Sequence, residues 1–164
     1  MQFRAALLAA LATTASARIH GISFPKTIKP GEEITAYIGS ANYIQSVYDV
    51  AIAFGINREE AAYPDTLGPV FGSFYLGPVV GLKGIPVEKR MLISRRCCRG
   101  SNQLNNIPQP VTLPESLEAG EYVIGASLLS LYGASVNPVL VGYNVTVTIG
   151  EETSEEYVNS WDEE

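Results

Sequence analysis

The side chains with a capacity for catalysis or metal binding are few: one histidine, His20, an adjacent pair of cysteines, Cys97 and Cys98, and seventeen carboxylates. A Ser-His-Asp triad would have to be assembled around His20, close to the N-terminus, which is a poor place for a general base. A copper brace needs an N-terminal histidine and a second one. Cleavage ahead of His20 would follow Ile19 rather than a small residue, and no second histidine exists. Zinc sites built from Cys and His lack ligands. A bond between the neighbours Cys97 and Cys98 closes no useful loop and demands a strained peptide geometry. Asp49, Asp65 and several glutamates would supply a carboxylate pair for glycoside hydrolysis. Against that, Glu32, Glu33, Glu59, Glu60, Glu118 and Glu121 flank turns or strand ends, where surface acids belong. The expectation is a protein with no catalytic centre, no metal site and no cofactor.

One modification motif stands apart. Asn144-Val145-Thr146 is an N-glycosylation sequon. Tyr143, Val145, Val147 and Ile149 alternate with Asn144, Thr146 and Thr148, so Asn144 falls on the polar face of a strand, where a glycan is sterically feasible.

The elements that must position these residues are strands. Residues 1–17, MQFRAALLAALATTASA, read as a secretory signal, with Arg4 ahead of an apolar run and a small-residue ending at Ala15-Ser16-Ala17. No later stretch reaches the ~18 uninterrupted apolar residues of a membrane helix, so no membrane span is expected and the protein is read as released. Residues 18–150 then read as one domain. Candidate strands are Ile19 to Phe24, Ile34 to Ile38, Val47 to Phe54, Val70 to Leu76, the VTLP segment after Gln109-Pro110, the run following Glu118-Ala-Gly-Glu121, and Val139 to Ile149. About seven short strands at this spacing predict an all-β fold, a single immunoglobulin-like β-sandwich of antiparallel strands. The Cys…Trp…Cys spacing of antibody domains is absent, and the single Trp161 falls in the acidic segment 151–164, GEETSEEYVNSWDEE from Gly150, which reads as a solvated, flexible tail.

The formal charge of −6 is unevenly spread: six of eleven basic residues, Lys83, Lys89, Arg90, Arg95, Arg96 and Arg99, fall in one stretch. Duplex nucleic acid is a poor partner for the rest of so acidic a chain. Residues 79–100 break the surrounding composition with no turn chemistry or alternation, and are expected to form a poorly ordered insertion. The reading favoured here is a short intron translated in frame, opening at the Val79-Val80 codons, which begin with GT. A basic loop for anionic lipid or nucleic acid, and an ordinary disordered surface loop, are the alternatives.

Local strings carry a resemblance. NYIQSVYDVAIAFG at 42–55, YPDTLG at 63–68, GSFYLGP at 72–78, ASLLSLYGAS at 126–135 and YNVTVTIGEETS at 143–154 together resemble the necrosis-inducing secreted effector family of filamentous fungi. The resemblance covers nearly the whole mature chain apart from residues 79–100. It implies a secreted, non-enzymatic virulence effector that provokes plant cell death and suppresses pattern-triggered immunity by binding receptor-associated and cytoplasmic immune kinases of the host, acting outside the host cell or within it. No catalytic residues come with it. Interface anchors are enriched in aromatics, which singles out Asn42, Tyr43 and Gln45, and Tyr132 with its Gly133 turn, as partner-binding candidates. A carbohydrate- or cell-wall-binding module is the competing class and a hydrolase the third. Oligomeric state is left open.

Overall fold

The computed structural model describes residues 16–63, 66–76 and 106–161. Residues 1–15, most of the expected secretory signal, together with Asp65 and the 79–100 insertion with both cysteines, lie outside the described residues.

Among the described residues, nine strands form two facing sheets. In chain order they are β1 (Ser16–Pro25), β2 (Thr27–Ile28), β3 (Glu33–Tyr43), β4 (Val47–Arg58), β5 (Val70–Tyr75), β6 (Ile107–Thr112), β7 (Gly120–Tyr132), β8 (Asn137–Ile149) and β9 (Tyr157–Asn159). One sheet has the order β6-β3-β1-β9 and the other β2-β8-β7-β4-β5. This is the all-β sandwich that the strand spacing predicts, with two short strands more than the seven expected. The pairing is antiparallel except between β2 and β8, where Thr27 lies beside Thr148 and Ile28 beside Ile149 in parallel.

Alternation decides which side chains go inward. On β8, Val145, Val147 and Ile149 are buried while Asn144, Thr146 and Thr148 face outward, and on β3 Ile34, Ala36 and Ile38 are buried. A residue period of two on facing sheets produces this division. The core between the sheets centres on Phe54, which meets Phe24 edge-on at 5.5 Å and stacks on Phe71 at 6.2 Å. These contacts join β1 of the first sheet to β4 and β5 of the second. β6 runs from Ile107 through Pro108 and Pro110, earlier than the VTLP segment suggested, because an edge strand tolerates proline where the missing N–H faces away from its partner.

The acidic segment after Gly150 is corrected by the structure for residues 151–161. β9 pairs with β1, Ser23 beside Asn159 and Pro25 beside Tyr157. The Tyr157 hydroxyl donates to the Thr35 carbonyl at 3.1 Å, and the Ile22 amide donates to Ser160 Oγ at 2.9 Å. Beyond β9, the Trp161 indole lies across Gly39 of β3 and Gly21 of β1. A Cβ on Gly39 would sit 2.8 Å from the indole, so only glycine leaves this slot open. The apolar residues Tyr157, Val158 and Trp161 hold the segment down, and the acids ahead of them, Glu151, Glu152, Glu155 and Glu156, stay in water.

Candidate functional site

The four partner-binding candidates meet at one pole of the sandwich. β3 ends at Tyr43 and the chain crosses to the other sheet through Ile44–Ser46 to start β4 at Val47, while β7 ends at Tyr132 and turns through 133–136 into β8. Val47 pairs with Tyr132, and the Gly133 amide donates to the Ser46 carbonyl at 2.9 Å, which locks the two connections together. The rings of Tyr43 and Tyr132, from opposite sheets, meet edge-to-face at 6.1 Å. Such pairs contribute about 0.5–1.5 kcal/mol beyond area burial. Arg18, on the first turn-free stretch of β1, places its guanidinium 5.0 Å from the Tyr43 ring centre. Asn42 and Gln45 are exposed beside them.

Two residues at this pole escape a reading of the sequence. Ile44 is 98% exposed at the tip of the β3–β4 connection, and Val136, 54% exposed, is held at φ 55° in the β7–β8 turn. A β-branched residue in the left-handed region is strained and persists only where its surroundings enforce it. Here the turn bond from the Val136 amide to the Gly133 carbonyl, 3.2 Å, and the Gly133–Ser46 bond fix the backbone. Two apolar side chains thus stand in water around an aromatic pair. Ile44 lies inside the apolar string NYIQSVYDV, where nothing marks the crossing between sheets.

Beneath the aromatic pair lies a polar floor. Asp49 is 1% exposed and Ser130 is fully buried, and the Ser130 hydroxyl donates to Asp49 Oδ1 at 2.6 Å. The Tyr143 hydroxyl donates to the Ile19 carbonyl at 3.0 Å and so ties β8 to β1 across the sandwich. Burial pushes the Tyr143 hydroxyl up to about 12, with Tyr132 and Asp49 adding and Arg18 opposing, so it remains a neutral donor throughout the physiological range. Burial also raises Tyr132, against the pull of Arg18. Asp49, one of the carboxylates weighed for hydrolysis, is a buried structural acceptor for Ser130. Glu32, Glu33, Glu59, Glu60, Glu118 and Glu121 are all exposed. Replacing Ser130 with Ala strips a buried hydrogen bond from Asp49 and is expected to lower unfolding stability by about 1–3 kcal/mol, read as a lower urea midpoint with unchanged slope.

His20 sits one step along β1, its ring 4.8 Å from that of Trp161. Its Nδ1 is buried with no hydrogen-bond partner. Desolvation, and then the charge of Arg18, hold the imidazole below its ordinary value, against a stabilising bond to the Gly39 backbone. Because the folded state binds the proton less readily than the unfolded chain, this contribution to stability is complete above pH 6.5 and is lost as pH falls through the folded value. Urea midpoints measured from pH 7.5 down to 5.5 are therefore expected to decline, and to decline less in His20→Gln. Among the described residues no group of three or more His, Cys, Asp or Glu is arranged to hold a metal ion, and no helix is long and apolar enough to cross a membrane.

Asn144 lies away from this pole, exposed on the outer face of the five-stranded sheet, where the alternation of β8 puts it.

The chain matches the Nis1 family over residues 15–148. It is 51% identical over 162 residues to necrosis-inducing secreted protein 1 of Colletotrichum higginsianum, a match covering 98% of this chain and 99% of that protein. It is 50% identical over 162 residues to necrosis-inducing secreted protein 1 of Colletotrichum orbiculare, covering 98% of this chain and 88% of that protein. With the fold, these similarities define the class: a secreted fungal β-sandwich protein. The chain belongs to the Nis1 family of necrosis-inducing secreted effectors.

Proposed function

We propose that this effector acts by docking, without turnover, on immune receptor-associated kinases of the plant host, suppressing pattern-triggered immunity and leading to host cell death. The observation that carries the reading is the pole itself, where Ile44 and Val136 stand exposed around the Tyr43–Tyr132 pair. Exposed apolar tips on a rigid aromatic base bury area on contact with little ordering cost, the property of interface anchors. Asn42 and Gln45 supply amide groups for the rim, and Arg18 a cation that reaches acidic or phosphorylated surface on a kinase. The family resemblance supplies the class of partner, and the geometry supplies a surface suited to it.

Co-precipitation of the secreted protein from plant tissue tests the proposal. Recovery of receptor-associated kinases, with no retention on insoluble cell-wall polysaccharide, supports it. Retention on polysaccharide with no kinase recovered would favour a carbohydrate-binding module and overturn it.

A further inference from the structure

We propose that Asn144 carries an N-linked glycan whose role is to guard the open edge of β8 against pairing with a second copy of this chain. A long, uncharged strand with a free edge is a template for intermolecular pairing, and secreted proteins manage such edges with proline, charge, shortness or cover. Among the described residues, β2 has two residues, β9 three and β5 six, and β6 carries Pro108 and Pro110. β8 is different. Its thirteen residues, NPVLVGYNVTVTI, contain no charge, and its one proline, Pro138, stands at the start of the strand and leaves the residues after it without such a break. β7 covers one side throughout, but on the other side β2 reaches only Thr148 and Ile149, so Asn137 to Val147 have no neighbouring strand among the described residues. Leu140 is 73% exposed and Val139 40% exposed on this strand.

The sequon is the remaining device. Asn144 stands near the middle of the open stretch, facing outward, with Thr146 on the same face two residues on. Its Oδ1 is 3.2 Å from where a Cβ on Gly125 would lie, so the amide lies over the neighbouring strand with space that only glycine leaves. Beside it runs a shallow groove of about 760 Å³ lined by Leu67, Ser127, Leu140 and Gly142, onto which the Asn144 side chain opens. A first sugar on Asn144 would lie over the outer face of β7 and β8 and cover Leu140, and the branches beyond it would extend past the open side of β8 into the path of a second copy. An antiparallel β8–β8 pair would set uncharged residues against uncharged residues, with nothing in the strand to repel it.

The test compares the protein secreted from a eukaryotic host with its Asn144→Gln and Thr146→Ala variants from the same host. Thr146→Ala removes the sequon and keeps Asn144. Peptide N-glycosidase is expected to lower the mass of the wild type and of neither variant. Both variants are expected to shift in size-exclusion chromatography from monomer to dimer or larger, and Leu140→Lys added to either is expected to restore the monomer by placing a charge on the exposed face of the strand. A wild type whose mass is unchanged by the enzyme overturns the modification. Folded variants that remain monomeric at every concentration at which the wild type does overturn the guarding role.

Discussion

Truncation after Gly150 is expected to destabilise the fold by about 4–6 kcal/mol, a large share of the ~5–15 kcal/mol that holds a domain together. The loss has identifiable parts. Trp161 leaves the slot over Gly21 and Gly39, and the transfer of a largely covered aromatic side chain to water costs about 2–3 kcal/mol. Backbone bonds from the Lys26 amide to Glu156, from Ser154 to Thr27 and from Ser160 to Ile22 disappear, together with the hydroxyl bonds of Ser154, Ser160 and Tyr157. Each contributes about 0.5–1.5 kcal/mol, in part recovered by water at the newly exposed edge. Thermal unfolding checks this: a midpoint lower by roughly 10 °C or more is expected, given about 2–4 °C per kcal/mol at this size. A solvated tail would leave the midpoint where it was. Gly39→Val, which fills the slot while leaving the sequence after Gly150 intact, is expected to move the midpoint the same way.

Ile44→Asp is expected to weaken the proposed docking on a host kinase by about thirtyfold or more while leaving the fold untouched. At 98% exposure the side chain contributes almost nothing to the core, so its replacement changes only what the pole offers to a partner. Burying an isoleucine against a partner contributes about 2 kcal/mol, which is about thirtyfold in Kd, and a carboxylate at the same point adds a desolvation cost. Tyr132 is a less clean probe. Its ring packs on Tyr43 and it pairs with Val47, so removing it disturbs the pole as well as the interface.

What the sequence made legible follows from period and punctuation. β8 was readable because Tyr143, Val145, Val147 and Ile149 alternate with polar residues, and β3 because Ile34, Ala36 and Ile38 do. The tail reads as solvated because Glu151, Glu152, Glu155 and Glu156 dominate its composition, while three apolar residues, Tyr157, Val158 and Trp161, do the anchoring. The slot that receives Trp161 is made by Gly21 and Gly39, more than a hundred residues away in sequence, and no local pattern joins the two. β6 starts earlier than the VTLP segment indicates: Pro108 and Pro110 read as a connection, although an edge strand accepts both. The candidates Asn42, Tyr43, Gln45 and Tyr132 gather at one pole, since Tyr43 ends β3 just before the crossing to Val47 of β4, and Val47 pairs with Tyr132 at the end of β7. Ile44 and Val136 were not legible. Their exposure comes from the crossing between sheets and from a positive φ, neither of which a hydrophobic pattern encodes.

The most direct measurement is a calorimetric titration of a purified receptor-associated immune kinase domain with the secreted protein and with its Ile44→Asp variant, after matched thermal unfolding shows both to be equally folded. The account predicts saturable binding by the wild type and a Kd raised by about thirtyfold or more in the variant. Equal affinity of the two proteins, or no binding by either, would contradict it.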